Sequence, residues 1–258
     1  MEDNYAICRL AVAPLRVSAS DRAEIVSQLL FGEHVMVIGR DAQWRQVRNV
    51  YDGYEGWVDF KQLAPLSQAQ FEEIAETSYL VPAELANILM DDAGSKYFLS
   101  PGSSLPLYKD GVCYLGDTKY RVMFHPKEML TSPDKLVDTA LFFQNVPYLW
   151  GGKTLFGIDC SGFTQVVFRL HGIALLRDAW QQSEQGTAVD FLPEVKAGDV
   201  AFFDNAEGRI IHVGIMLSDS EIIHASGKVR IDRMDQEGIY NDELGRYTHK
   251  LRIIKRFF

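Results

Sequence analysis

The sequence predicts an α+β protein, and three features of the chain point that way. Short strand-like runs separated by turn residues fill residues 5 to 66, two helical patterns follow one another between residues 131 and 172, and from residue 198 onward the pattern is strands alone. Helices grouped ahead of strands, rather than alternating with them, indicate an α+β arrangement. A chain of 258 residues is also long enough for a sizeable core and more than one domain.

The first segment, residues 1–66, contains "AICRLAVAPLRV", "HVMVIGR", "WRQVRNV" and "EGWVDF". Each is short and rich in strand-forming residues, and the Asp-Gly of "YDGYEGWV" is a strong hairpin signal. About five strands in so short a span suggest a small barrel. Residues 67–91 mix helical stretches with an interrupting Pro82 and read as a helical connector. Residues 96–124 return to short strands broken by Pro-Gly, Asp-Gly and Gly-Asp, so 67–130 is expected to be a linker plus a second, more degenerate barrel. The last segment, 131–258, opens with Thr131 or Ser132 placed to cap a helix, Pro133 in its first turn, and Leu136, Ala140 and Phe143 at helical spacing. A second helix, "CSGFTQVVFRLHG", carries an apolar stripe of Phe163, Val166, Val167 and Leu170, and Gly172 is placed to end it.

Bulk properties exclude several classes. The formal charge of -9, with no basic stripe, argues against a nucleic-acid partner. No apolar run approaches the length of a membrane span, so no membrane partner is expected either. Cys8, Cys113 and Cys160 are odd in number and widely spaced, which is not a disulfide framework. The acidic N-terminus lacks the basic and apolar regions of a secretory signal, so the chain reads as cytoplasmic. A periplasmic or secreted chain whose signal had been removed would read the same way. The chain is expected to act as a monomer.

Chemistry centres on "LWGGKTLFGIDCSGF". Asp159 sits where an N-cap belongs, which puts Cys160 in the first helical turn, where unpaired backbone N–H groups and the helix dipole favour a thiolate. A lone helical cysteine is more often inert core, so a base is needed. His212 in "IIHVGIM" and His224 in "EIIHAS" lie on consecutive strands joined by a short polar turn. Strand side chains alternate with period two, so pairing 214 with 224, or 212 with 224, puts both imidazoles on one face. His212 could then take the thiol proton and His224 could orient it. Each histidine alone is more often a half-buried strand residue.

"PYLWGG", "DCSGF", "GDVAFFD", "HVGI" and "IHAS", in that order, resemble the NlpC-type cell-wall cysteine peptidases, which are papain-like, across about residues 131–258. Residues 13–58, with "GEHVMV", "WRQVR" and "GYEGWV", resemble the bacterial SH3-like domain. The resemblance implies a papain-like C-terminal peptidase domain preceded by two small SH3-like β-barrels. It implies Cys160 as nucleophile, His212 as general base and His224 as the orienting residue, with Tyr148 beside the thiolate, the Cys160 N–H in the oxyanion site, and no metal or cofactor.

SH3-like domains ahead of such a peptidase further imply the subgroup that cleaves γ-D-glutamyl-L-diamino acid bonds in murein peptides bearing a free N-terminal L-alanine, in cell-wall peptide recycling. A desolvated ammonium needs partners. Asp159 is the first candidate, alongside its capping role. The SH3-like domain is expected to add a tyrosine, Tyr54, and an acid, Glu24, with Glu33 as its competitor. "LRDAWQQSEQG" resembles the family's segment after the catalytic helix, with Arg177, Asp178 and Gln182 kept but Ala179 where relatives often carry Ser. Ser161 is expected to meet the substrate's α-carboxylate, and Trp150 to line the cleft or join the core. A non-catalytic wall-binding module, or an amidase or acyltransferase on the same fold, stands as the alternative. The leaving position is expected to take lysine or diaminopimelate.

Overall fold

The computed structural model describes residues 4–74, 79–128 and 135–258, which fall into two compact units, Met1–Met129 and Leu130–Phe258. In the first, seven short strands form one antiparallel sheet: β1 (Tyr5–Cys8), β2 (Val12–Arg16), β3 (Ile25–Leu30), β4 (His34–Asp41), β5 (Trp44–Asn49), β6 (Glu55–Asp59) and β7 (Leu63–Leu66), in the order β3-β2-β6-β5-β4-β1-β7. Alternation decides what is buried. Ala13 and Leu15 of β2 turn inward with Val47 of β5 and Val58 of β6, while their neighbours stay partly exposed. The Asp-Gly turn forms between β5 and β6, with Gly53 at φ 70°, Asp52 Oδ1 accepting from the Tyr54 N–H at 3.0 Å and Asn49 N–H bonded to Tyr54 O at 2.9 Å.

The connector is less helical than its composition suggests. Among its described residues only α1 (Gln68–Ile74) is helical, and β8 (Tyr79–Leu80) and β9 (Ile88–Asp91) pair as strands. Pro82 has no N–H to continue a helix, and apolar Leu80, Val81 and Leu89 are drawn into a common core. With β10 (Lys96–Phe98), β11 (Val112–Leu115) and β12 (Thr118–Val122), β9 makes a four-stranded sheet, and β13 (Lys127–Glu128) pairs with β8. The core under this sheet takes Ile7, Phe31 and Leu66 from the first segment along with Leu89, Cys113 and Tyr120.

The second unit opens with α2 (Leu136–Phe142), preceded by Lys135 in the left-handed region at φ 63°. The expected cap, Thr131 or Ser132, and Pro133 lie outside the described residues. A small hairpin of β14 (Lys153–Thr154) and β15 (Gly157–Ile158) leads into α3 (Cys160–Arg169). Gly172, at φ 73°, ends that helix in a Schellman arrangement, with Ile173 N–H bonded to Phe168 O and Gly172 N–H to Arg169 O. After α4 (Ala179–Ser183) and β16 (Thr187–Val189) come β17 (Val200–Asp204), β18 (Ile210–Met216), β19 (Glu221–Ser226), β20 (Lys228–Met234), β21 (Gly238–Asn241) and β22 (Arg246–Arg256). These last six close on themselves, because β22 is long enough to pair with β17 through one half and β21 through the other. Closure leaves the sheet no open edge among these strands. No described helix is long and apolar enough to cross a membrane.

The sequence stripe predicts one buried face for α3, yet every residue of it is buried. It packs on β18 and β19, with α2 and α4 also against it. Its polar residues have partners: Thr164 donates to Gln182 Oε1 at 2.8 Å and Gln165 to Leu175 O at 3.0 Å.

Gly162 fixes how closely the helix approaches the preceding loop, because a Cβ there would stand 2.2 Å from the Gly152 carbonyl oxygen. Helix propensity alone would make Gly162→Ala stabilising by about 1 kcal/mol. Displacing a backbone carbonyl outweighs that, and the variant should lose about 1–3 kcal/mol in urea unfolding. A raised midpoint would contradict the contact.

Candidate active site

Asp159 caps α3 from an extended conformation, its Oδ1 accepting the Gly162 N–H at 2.6 Å. Its Oδ2 accepts the Gly151 N–H at 2.8 Å, tying down the loop that carries Tyr148 and Trp150. Arg177 donates to both oxygens, through Nη2 at 2.6 Å and Nη1 at 3.1 Å, and Nη1 also reaches Ser161 Oγ at 2.9 Å. Arg177 is 1% exposed and Asp159 5%, so this is a bidentate ion pair in the interior. Gln182 supports it from α4, donating to Ser161 O at 3.0 Å. Gly151 stands at φ 75°, and a Cβ on Gly152 would meet Gly157 O at 2.4 Å, which explains the paired glycines.

Cys160 is the first residue of α3 and is buried, facing β18, whose Val213 N–H points at the sulfur. Burial pushes the thiol up to about 12; Asp159 adds to that, and Arg177 and the Val213 and Ser161 N–H groups oppose it. The position at the helix start favours a thiolate, with a base needed besides. Desolvation is the stronger influence here.

β18 and β19 pair with Gly214 opposite His224, so His212, two residues along, shares the face of His224. His212 Nε2 and His224 Nδ1 are 2.8 Å apart, with the rings nearly perpendicular. His224 Nε2 lies 3.0 Å from Asp232 Oδ2 on β20, and Arg230 contacts the same carboxylate at 2.8 Å. Hydrogen bonds from His224 and Arg230 hold Asp232 below the usual carboxylate range despite its burial. An ionised carboxylate only accepts, so the proton inventory follows in order. His224 donates from Nε2, its Nδ1 accepts, His212 donates from Nε2, and His212 Nδ1 is left with a lone pair. Burial holds His212 well below its ordinary value, with His224 and His249 adding to the shift, and also lowers His224.

Tyr148 is half-buried, and burial with the neighbouring Cys160 and Asp159 pushes its phenol up to about 12, so it remains a donor. Trp150 is 60% exposed. Asp178 is half-buried and caps α4 in a capping box with Gln181. Ser161, expected to meet a substrate carboxylate, spends its hydroxyl on Asp159 and Arg177. Tyr54 and Glu24 belong to the first unit, Tyr54 half-buried and Glu24 exposed ahead of β3. Glu33 is buried, its Oε2 accepting the Leu30 N–H at 3.0 Å.

Three residues here are absent from the sequence reading. Asp232 could have been found, since Gly227 makes a tight turn that sets His224 opposite Arg230 and leaves Asp232 on the same face. Gly214 matters by what it lacks: a Cβ there would stand 2.8 Å from the Cβ of His224. His249 on β22 stacks on His212 with ring centroids 4.0 Å apart, a contact set by barrel closure that no local pattern reveals.

The model for the NlpC/P60 family matches residues 145–247, and that for the bacterial dipeptidyl-peptidase SH3 domain matches residues 15–63. The γ-D-glutamyl-L-lysine dipeptidyl-peptidase of Bacillus subtilis is 30% identical over 239 residues, covering 85% of this chain and 79% of the relative. The chain belongs to the NlpC/P60 family. It is a cysteine peptidase with an SH3-like N-terminal domain. The Bacillus cereus protein of the same name is similar to this NlpC/P60 peptidase at 29% identity, over 78% of this chain and 67% of its own. A crystal structure of a Bacillus cereus NlpC/P60 family protein shares the fold, with a TM-score of 0.82 at 23% identity over 98% of this chain and 99% of that one.

Two measurements probe the site. Arg177→Met strands the buried Asp159 charge and should cost about 3–5 kcal/mol in chemical denaturation; a loss below about 1 kcal/mol would mean the pair is dispensable. The raised thiol value means thiolate is absent well below about 12 unless a base takes the proton. Alkylation of Cys160 should therefore proceed at neutral pH in the intact protein and only at alkaline pH in His212→Ala, and equal profiles would remove His212 from that role.

Proposed function

We propose that this peptidase hydrolyses the γ-D-glutamyl–L-diamino acid bond of murein peptides carrying a free N-terminal L-alanine, by papain-like catalysis in cell-wall peptide recycling in the cytoplasm. The observation that carries the catalytic reading is the chain from Asp232 through His224 to His212, which leaves the His212 Nδ1 lone pair for a proton. The substrate reading is supported by relatives named γ-D-glutamyl-L-lysine dipeptidyl-peptidase and by the match to a dipeptidyl-peptidase SH3 domain.

In this mechanism His212 Nδ1 takes the Cys160 proton, and the thiolate attacks the γ-glutamyl carbonyl. The Cys160 N–H, in the first turn and so without an intrahelical acceptor, receives the developing oxyanion. The imidazolium then protonates the leaving amine, and water activated by the same imidazole releases L-Ala-γ-D-Glu from the enzyme. His224 holds the ring and, with Asp232 behind it, stabilises the cation that forms. The ammonium of the substrate is met by an acid of the site. Asp159 already has Arg177 and two N–H groups on its oxygens, so Asp178, whose carboxylate accepts one backbone N–H in its capping box, is the acid assigned to the ammonium in this reading. Tyr148 donates to the substrate beside the sulfur, and the exposed Trp150 offers a wall to its apolar parts.

Incubation with L-Ala-γ-D-Glu-L-Lys and its meso-diaminopimelate counterpart, followed by mass spectrometry, should yield L-Ala-γ-D-Glu from at least one. Cys160→Ala should reduce the rate about a thousandfold or more, and N-acetylation of the substrate should slow it strongly. No dipeptide release, or release undiminished by Cys160→Ala, would overturn the proposal; equal turnover of the acetylated peptide would replace it with an amidase.

A further inference from the structure

His212, His224 and His249 each have one ring nitrogen within 4.8 Å of those of the other two. Two of the rings are held by outer partners of the kind that metal-bound histidines have. Asp232 accepts from His224 Nε2, so His224 Nδ1 presents its lone pair to the centre. Thr248 Oγ1 lies 3.4 Å from Ile239 O, to which it donates, and 2.9 Å from His249 Nδ1, from which it then accepts. That leaves His249 Nε2 with its lone pair free for a ligand. A carboxylate or hydroxyl fixing the far nitrogen is the usual outer arrangement around a bound divalent ion.

We propose that these three imidazoles form an inhibitory site for a borderline transition-metal cation such as Zn2+, a regulatory role that rests on the catalytic reading of His212 given above. Around zinc, at about 2.0–2.1 Å from each nitrogen, tetrahedral ligands stand about 3.3 Å apart. The His212–His224 pair, at 2.8 Å, opens by roughly half an ångström to admit the ion. His249 is half-buried, whereas His212 and His224 are buried, so its ring closes in from the more exposed side, opening its 23° tilt against His212. Water completes the coordination, since imidazole nitrogen is a common ligand for this class of ion.

The consequence for catalysis follows from proton count. The ion occupies His212 Nε2 in place of its proton, which is lost there while Nδ1 gains one from water, so the ring stays neutral with no net proton released. Nδ1 is the atom assigned to receive the thiol proton, and once protonated it cannot. The metal thus traps the base in the wrong tautomer without touching the sulfur.

The test uses the full chain with Co2+ as a spectroscopic stand-in and Zn2+ as competitor. One equivalent of Co2+ should give ligand-field bands of low coordination number without a thiolate-to-cobalt charge-transfer band, unchanged in Cys160→Ala. His249→Phe, which keeps a stacked ring but removes the nitrogens, should weaken binding at least about tenfold. Histidine 15N spectra of the unaltered protein should show three rings shifting together with Zn2+ while His34, His125 and His171 stay in place, a readout independent of whether the variant folds. Zn2+ should inhibit peptide hydrolysis with the same affinity, and with lower affinity in His249→Phe when each is compared with its own rate in chelator. A charge-transfer band lost in Cys160→Ala, or binding indifferent to His249→Phe, would overturn the site. Absence of peptide hydrolysis would remove the catalytic reading and the inhibition built on it, whereas the spectra would still decide whether the metal binds.

Discussion

Asp159 carries a charge that its burial would make costly, and Arg177 offsets that cost with two hydrogen bonds while two backbone N–H groups and the Ser161 hydroxyl also donate to the carboxylate. Several features depend on this one group. It starts α3 at Cys160, it anchors the glycine loop that brings Tyr148 up to the sulfur, and it draws Arg177 and Ser161 into the same cluster. Gly152 and Gly162 allow the loop and the helix to approach this closely. A carboxylate this fully engaged is part of the scaffold first.

Around that scaffold the chemistry is arranged so that no charge is favourable alone. Burial raises the thiol and lowers the imidazoles, which disfavours either ionised form by itself. In the proposed mechanism, moving a proton from sulfur to His212 creates both charges together and leaves the net charge of the pocket unchanged. Asp232 favours the cationic form of His224 while the Arg230 guanidinium opposes it, and the Val213 N–H favours the thiolate from β18. In the proposed mechanism the first turn of α3 contributes direction and an oxyanion donor more than it contributes acidity.

Much of this was legible in the sequence because its determinants are local. Parity along "IIHVGIM" and "EIIHAS" put two histidines on one face, and the register that pairs 214 with 224 is one of the two it allowed. Asp159 as a cap and Gly172 as a stop are read from neighbouring residues. What was not legible depends on distant segments meeting. The long β22 closes the barrel and so lays His249 on His212, a contact between residues far apart in the chain. Arg177 and Asp159 are 18 positions apart in the chain, and nothing in "LRDAW" shows that the Arg177 guanidinium turns inward. The helical pattern of the connector is overridden among its described residues 79–91, where Val81 and Leu89 answer to a sheet core rather than to a helical face.

The account turns on one proton assignment: His212 is protonated at Nε2 and bare at Nδ1 because Asp232 dictates the tautomer of His224, and His224 that of His212. Nitrogen-15 chemical shifts of the His212 ring in the metal-free protein at neutral pH report this directly. The account predicts a pyrrole-type Nε2 and a pyridine-type Nδ1, with the pattern reversed or averaged in Asp232→Asn. A pyrrole-type Nδ1 in the unaltered protein would contradict it, since the imidazole would then have no lone pair left for the thiol proton.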